Sequence, residues 1–146
     1  MAGRPNHLRW LPLALVALGG AVGAATREGT SLIIPDASGV PVAIAIVNVL
    51  GAFALGYLYE AVTRLGPGNP TAASIKLLLG TGFCGGFTTY SSLATDSAVL
   101  LSHGRWGVGS LYAFGTLLIG ACATFAGIAV ASRANARRNS PEGARR

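Results

Sequence analysis

The chain has 146 residues, of which 51% are hydrophobic and only 11% charged, and its formal net charge is +6. This composition excludes an ordinary soluble domain and indicates a protein embedded in a lipid bilayer. The basic residues lie at the chain ends and in loops without interleaved aromatic residues, which argues against a nucleic-acid partner. An all-α membrane protein is therefore expected.

Four apolar segments are long enough to cross the hydrocarbon core, which takes ~20 helical residues. The segments are approximately 10–26, 40–63, 73–101 and 107–131. The first begins near Trp10, an aromatic residue typical of the membrane interface, and ends at Arg27. The sequence thus predicts a four-helix transmembrane domain, 1–132, followed by a basic, disordered tail, 133–146.

An alternative for the first segment is a signal peptide covering residues 1–25. Arg4 and Arg9 precede its apolar part, and "AVGAA" resembles a small-residue cleavage site. Three further apolar segments follow, however, and a protein that crosses the membrane several times has no need to lose its first helix. A retained first helix is the preferred interpretation.

The third segment contains "GTGFCGGFTTYSS", residues 80–92, which is unusually rich in glycine and hydroxyl residues. Each glycine costs a helix roughly 0.8–1 kcal/mol relative to alanine, and the hydroxyls compete for backbone hydrogen bonds. We predict that the helix is interrupted between about Gly82 and Thr89. Freed carbonyls at such a break can bind a cation, and the start of the next helix favours an anion. Close helix packing is the alternative explanation for the glycines.

Other functional classes explain this sequence less well. A proton-coupled exchanger needs a carboxylate deep in a helix, whereas Glu28, Glu60 and Asp96 lie towards helix ends. His7 and His103 are terminal or in a loop, and no nucleophile and base are paired, so an enzyme is not expected. A noncatalytic membrane scaffold would explain the small residues but not the polar centre of the third helix.

Motifs in all four segments together resemble the Fluc, or CrcB, family of fluoride channels. They are "GGAVGAATR", "NVLGAFALG", "GTGFCGGFTTYSS" and, in the fourth segment, Tyr112 followed four residues later by Thr116. The resemblance implies a passive, fluoride-selective channel that exports fluoride from the cytoplasm and lowers its toxicity. It also implies an antiparallel dimer with two fluoride pathways.

The resemblance further implies a structural sodium ion at the centre of the dimer, held by backbone carbonyls at the break of each third helix. The matching positions are Gly85 and Thr88. Oxygen ligands suit a small, hard cation, and glycine permits the backbone angles that turn a carbonyl inward.

Seven positions match the family's fluoride pathway: Asn48, Tyr90, Ser91, Ser92, Leu93, Tyr112 and Thr116. Asn48 lies near the middle of the second helix, where an unpaired amide is costly. A hydrogen bond between helices is the alternative explanation for this asparagine.

Two departures from the family pattern bear on the pathway. The family's "TTFSTF" supplies two rings whose electropositive edges face the anion, whereas this chain reads "TTYSSL", so Leu93 offers no ring. Gly120 stands where many members carry a serine. Either the pathway of this subunit is impaired, or the pathway tolerates an aliphatic wall.

Arg27 and Asp96 are the charged candidates for a vestibule. Arg27 matches the family arginine, for which a role in attracting anions is implied, and ordinary snorkelling is the alternative. Asp96 lies three residues beyond Leu93, where the family often has glutamate; it could connect to the pore mouth or be a carboxylate at a helix end that reaches water.

Basic residues are distributed unevenly between the two sides of the predicted bundle. Four spans place on one side Arg4, Arg9, Arg64, Lys76, Arg133, Arg137, Arg138, Arg145 and Arg146. The opposite side holds only Arg27 and Arg105. This bias predicts that both termini are cytoplasmic, and the inner (plasma) membrane is the expected location. A chain with one orientation cannot easily supply its own antiparallel partner. An oppositely oriented paralogue is therefore the expected second subunit. The alternative is a homodimer formed with a minority of inverted copies.

Overall fold

A computed structural model of the chain describes residues 10–139, and the regular elements in this range are helices apart from one isolated bridge between Ala37 and Val40. The elements are α1 (Trp10–Ile33), α2 (Val42–Ala61), a 3₁₀ turn (Val62–Leu65), α3 (Pro70–Ile75), a π-helix (Lys76–Cys84), α4 (Gly85–Phe87), α5 (Tyr90–Ser102) and α6 (Trp106–Asn139). The predicted all-α class is confirmed for the described residues.

Within that range, three helices are long and apolar enough to cross a membrane. They are α1, α2 together with its 3₁₀ extension (Val42–Leu65), and Trp106–Arg137 of α6. The predicted end of the first helix at Arg27 is wrong, because α1 continues to Ile33. The helix ends shortly before Pro35, and the backbone preferences of residues that precede a proline disfavour its continuation. Arg27 therefore lies inside the helix.

The last helix also runs further than the predicted segment, which ended at residue 131. It continues to Asn139, so the predicted tail begins within it, and residues 140–146 lie outside the described part of the chain. Two hydrogen bonds fasten this extension to the end of α2. Ser132 Oγ donates to Glu60 Oε1 at 2.8 Å, and Asn135 Nδ2 donates to the Glu60 carbonyl at 3.2 Å.

The third apolar region, 70–102, is divided into several helical pieces, none of which is an α-helix of membrane-spanning length. Asn69 caps its start, with Oδ1 accepting from Thr71 N at 2.8 Å and from Ala72 N at 3.3 Å. The chain then forms a nine-residue π-helix, Lys76–Cys84, which sequence reasoning did not predict. After α4, Thr88 and Thr89 are extended, and α5 begins at Tyr90.

Glycines on α1 face glycines around the π-helix, so the two backbones come into direct contact. A Cβ atom at Gly82 would lie 2.9 Å from the Cα of Gly19, and a Cβ at Gly23 would overlap the backbone of Phe83. Gly85 differs, because an added Cβ there would meet nothing within 4 Å. Helix packing therefore accounts for Gly82 but not for Gly85.

The second tight contact joins α2 and α6. A Cβ at Gly56 would overlap the backbone of Thr124, and one at Gly127 would overlap that of Phe53. Thr124 Oγ1 also donates to the Ala52 carbonyl at 3.3 Å. The bundle thus consists of two closely packed pairs, α1 with the π-helix and α2 with α6, and the interrupted region lies between them.

Replacing Gly23 with alanine should destabilise the protein, because the new Cβ would overlap Phe83 and lie 2.9 Å from the Phe87 amide nitrogen. Steric overpacking of this kind costs about 1–3 kcal/mol. The matched control is Gly29→Ala on the same helix, where nothing lies within 4 Å of the new atom. Thermal unfolding in detergent should show a lower Tm for Gly23→Ala alone, and equal Tm values would contradict the packing argument.

Candidate functional site

The interruption between α4 and α5 consists of two threonines with extended backbones. Thr88 has φ −83° and ψ 155°, and Thr89 has φ −150° and ψ 114°. Thr89 caps α5, since its Oγ1 accepts from Ser92 N at 3.2 Å and donates to Ser92 Oγ at 3.1 Å. Thr88 Oγ1 turns back and donates to the Cys84 carbonyl at 2.9 Å. The two hydroxyls thus stabilise both ends of the break.

Asn48 of α2 pairs with the backbone of Thr89 through both ends of its amide group. Its Oδ1 accepts from Thr89 N at 2.7 Å, and its Nδ2 donates to Thr89 O at 3.0 Å. Asn48 therefore forms a hydrogen bond between helices, as the alternative interpretation has it, since Thr89 caps α5, and its role in the fluoride pathway stays a prediction. One Nδ2 hydrogen remains for another acceptor, because an amide NH₂ carries two donors.

The same pairing frees a carbonyl. In an unbroken helix Thr89 N–H would donate to the carbonyl of Gly85, but here it donates to Asn48. No other described backbone amide outside the helix ladders reaches that oxygen. Thr88 precedes the cap of α5, so its carbonyl also has no place in a helical ladder. Gly85 and Thr88 thus each present a carbonyl oxygen without a helical donor.

Two clefts meet at Asn48, which lines both of them together with Ala52 and Thr88. The first, of about 260 Å³, continues along Tyr90, Leu93 and Thr116. The second, of about 380 Å³, is lined by residues that include Cys84, Gly85 and Thr124. Most of the predicted pathway positions border the first cleft, and both predicted cation positions border the second.

The predicted pathway residues differ in exposure. Tyr90 is 74% exposed, Ser91 is also exposed, and Ser92 is half-buried. Leu93 is buried and packs with Ile44, Leu100 and Tyr112. The structure therefore places Leu93 at a boundary between the hydrophobic core and the first cleft.

Tyr112 and Asp96 are brought together at the far end of this region. The Tyr112 hydroxyl lies 3.2 Å from the Pro41 carbonyl and 3.5 Å from Asp96 Oδ2. Thr116 Oγ1 donates to the Tyr112 carbonyl at 2.6 Å, within its own helix. A predicted pathway residue and a predicted vestibule residue are thus neighbours in space.

Arg27 lies apart from this group. It does not line either cleft at the break, and its Nε is buried without a hydrogen-bond partner among the described residues. Its predicted role in attracting anions stays a prediction.

The sequence predicted Thr89 only as the end of the break and not as a site residue, although it forms the centre of the hydrogen-bond network. The signal was present, because threonine is a favoured N-cap residue and Thr89 immediately precedes a predicted helical segment after a glycine-rich stretch. Thr124, which borders the second cleft, was also not predicted as a site residue. Its position beside that cleft depends on the packing of α6 against α2.

Comparison with known proteins identifies similar chains. Residues 14–128 match the family model described as CrcB-like protein, Camphor Resistance (CrcB). The chain is 41% identical to fluoride-specific ion channel FluC 2 of Leifsonia xyli, over 92% of each chain. It is 38% identical to FluC 1 of Mycobacterium tuberculosis, over 92% of this chain and 99% of the relative. It is 40% identical to FluC of Chlorobium phaeobacteroides, over 77% of this chain and 86% of the relative.

Replacing Asn48 with leucine should destabilise the break, because both backbone groups of Thr89 lose their partner. A buried polar group left unpaired costs about 1–3 kcal/mol. Amide hydrogen exchange should accelerate at Thr89, and the unfolding midpoint should fall. The matched control is Thr116→Val, which removes only a bond within one helix. Unchanged exchange at Thr89 in Asn48→Leu would show that the pairing does not hold the break.

Proposed function

This chain belongs to the CrcB family, and we propose that it is a fluoride-selective channel through which fluoride leaves the cytoplasm, lowering its toxicity. The family membership rests on the match over residues 14–128 and on relatives named fluoride-specific ion channels. The observation that carries the mechanism is the Asn48–Thr89 pairing beside a small cleft. Transport through it is passive electrodiffusion and involves no catalysis.

Fluoride is small and strongly hydrated, so a selective path must replace its water with close donors and exclude larger anions by its narrowness. The free Nδ2 hydrogen of Asn48 is one such donor. The first amides of α5, Tyr90 and Ser91, are others, because the first turn of a helix leaves its N–H groups without helical acceptors. The positive end of the helix dipole adds to the attraction.

The hydroxyl of Thr116 takes part in a different way. Its proton is donated to the Tyr112 carbonyl, and the Tyr112 hydroxyl faces Pro41 and Asp96. These hydroxyls must rotate before they can donate to an anion in the path. We therefore assign the first dehydration of fluoride to Asn48 and the start of α5, with Ser91, Ser92, Tyr112 and Thr116 as later donors along the path.

The proposed chain crosses the membrane four times. Pro70–Phe87 and Tyr90–Ser102 together form the third crossing, interrupted where Asn48 satisfies the exposed backbone. Broken backbone at membrane depth needs this kind of support from a neighbouring helix. Two such subunits pair in antiparallel orientation and form two fluoride pathways.

A structural sodium ion at the centre of the dimer is part of this proposal. The carbonyls of Gly85 and Thr88 would hold it, because neither takes part in a helical ladder and both residues border the second cleft. Uncharged oxygen ligands suit a hard monovalent cation. The open space beside Gly85 supports this assignment, since no neighbouring atom of the same chain lies within 4 Å of a Cβ placed there.

Leu93 gives the first cleft an aliphatic wall in this subunit. Its place in the buried cluster with Ile44 and Tyr112 supports a packing role on the side of Leu93 that faces away from the cleft. An aromatic side chain from the other subunit would then be needed for a ring edge at this position in one of the two pathways.

The placement of the described charges supports one fixed orientation. The Glu60–Ser132 hydrogen bond joins the ends of α2 and α6, near Arg64 and Arg133 in sequence. Arg105, by contrast, donates to the Ser38 carbonyl at 2.9 Å in the loop before α2. Arg4, Arg9, Arg145 and Arg146 lie outside the described residues. We propose that both termini are cytoplasmic in the inner (plasma) membrane and that an oppositely oriented paralogue is the second subunit, with a homodimer as the alternative.

Fluoride efflux from liposomes containing the channel should greatly exceed chloride efflux. Asn48→Asp should lower fluoride efflux at least tenfold, which equals about 1.4 kcal/mol, because it replaces the free donor with a charged acceptor. Asn69→Asp is the matched control, since Asn69 is a loop residue whose oxygen caps α3 and an aspartate oxygen does the same. Chloride efflux as fast as fluoride efflux would contradict the selectivity, and unchanged efflux in Asn48→Asp would remove Asn48 from the pathway.

The orientation can be measured by placing one cysteine in the tail, Ser140→Cys, in a chain that also carries Cys122→Ser. A membrane-impermeant maleimide should label it only after the cells are permeabilised. Efflux should require co-reconstitution with the paralogue. Comparable labelling from both sides, together with fluoride efflux from this chain alone, would show a homodimer of inverted copies.

A further inference from the structure

A groove of about 750 Å³ lies at one end of the bundle; it shares Thr81 with the second cleft but no lining residue with the first. It is bordered by the first turns of α1, by Tyr59 near the end of α2, and by α3 with the beginning of the π-helix. Leu11 and Leu15 form one wall, and Leu77 forms part of the other. The groove is therefore a largely apolar cleft that opens where α1 and α3 begin and α2 ends.

A single charged side chain lines this groove among the described residues, and it is Lys76. Its Nζ lies 5.4 Å from the centroid of the Tyr59 ring. The described part of the chain shows no carboxylate paired with it, and the nearby Glu60 is bonded to Ser132 instead. The groove thus combines an apolar wall with an unneutralised cation.

The helix ends around the groove suggest its depth in the membrane. Trp10 at the start of α1 is 82% exposed, and tryptophan is a residue type enriched in the interfacial region. Lys76 lies six residues after the start of α3, so it is about 9 Å further along the helix at 1.5 Å per residue. A lysine at this depth extends its ammonium towards the headgroups while its methylene groups stay among apolar neighbours.

We propose that this groove is a binding site for one anionic phospholipid. The headgroup phosphate is held by the Lys76 ammonium, and an acyl chain lies along Leu11, Leu15 and Leu77. Basic pockets between transmembrane helices recognise anionic headgroups in this way. The charge complementarity favours an anionic lipid over a zwitterionic one, whose own ammonium group is repelled by Lys76. The site is separate from the fluoride pathway, and the proposal does not depend on fluoride conduction.

The test is native mass spectrometry of the detergent-purified, delipidated protein after addition of phosphatidylglycerol or phosphatidylcholine with identical acyl chains. The wild-type chain should retain phosphatidylglycerol at least threefold more than phosphatidylcholine. Lys76→Gln should abolish this preference. The matched control is Arg64→Gln, which removes a neighbouring exposed charge that does not line the groove and should keep the preference.

Two further measurements of lipid retention test the apolar part of the site. Ala73→Phe places a ring in the groove while leaving Lys76 in place, and it should lower phosphatidylglycerol retention at least threefold. An excess of glycerol phosphate should not displace the bound lipid, because it lacks the acyl chain. Displacement by glycerol phosphate would indicate a site for soluble phosphate esters and overturn the proposal.

Equal retention of the two lipids by the wild-type chain would also overturn it, as would equal losses in Lys76→Gln and Arg64→Gln. If the residues before Trp10 or a second subunit cover the groove, Lys76→Gln and Ala73→Phe will both leave lipid retention unchanged, which is again a refutation.

Discussion

The two hydrogen bonds between the Asn48 amide and the backbone of Thr89 are the interaction on which the rest of the site depends. Lipid offers no hydrogen bonds, so a helix can be interrupted at membrane depth only if another part of the protein satisfies the exposed groups. Asn48 supplies one acceptor and one donor in the same place. The pairing fixes the start of α5 relative to α2, and it diverts the amide that would otherwise close the ladder at Gly85.

This pairing leaves hydrogen-bond donors beside one of the two clefts that Asn48 lines and hydrogen-bond acceptors beside the other. On one side lies the positive, N-terminal end of α5, whose first residue, Tyr90, borders the same cleft as Leu93 and Thr116. On the other side the carbonyls of Gly85 and Thr88 present oxygen atoms beside the second cleft. A donor-rich surface suits an anion and an acceptor-rich surface suits a cation. One neutral side chain, Asn48, thus borders both clefts.

The glycines divide in a comparable way. Gly19, Gly23 and Gly82 allow α1 and the π-helix to touch through their backbones, whereas Gly85 faces open space. Apolar side chains gain little by moving from lipid to a helix interface, because lipid tails are equally apolar. Close backbone contact of this kind is therefore a main source of helix association in a membrane. Glycine thus allows close packing of two backbones at one place, and at Gly85 it leaves the space beside the second cleft open. Packing of both pairs then holds Asn48 opposite the break.

The sequence by itself determined the all-helical class, the approximate positions of three membrane-length helices and the family, because apolar length and local motifs are properties of neighbouring residues. It also indicated the polar residues around the break, since glycines and hydroxyls weaken a helix locally. It did not determine that α1 passes Arg27 or that α6 continues to Asn139, because Glu60 fastens the latter end from another helix. Only the tertiary structure decided that Asn48 pairs with Thr89 and that Tyr112 meets Asp96. These contacts join residues 41 and 16 positions apart in the chain, and which side chain faces which depends on how the helices pack.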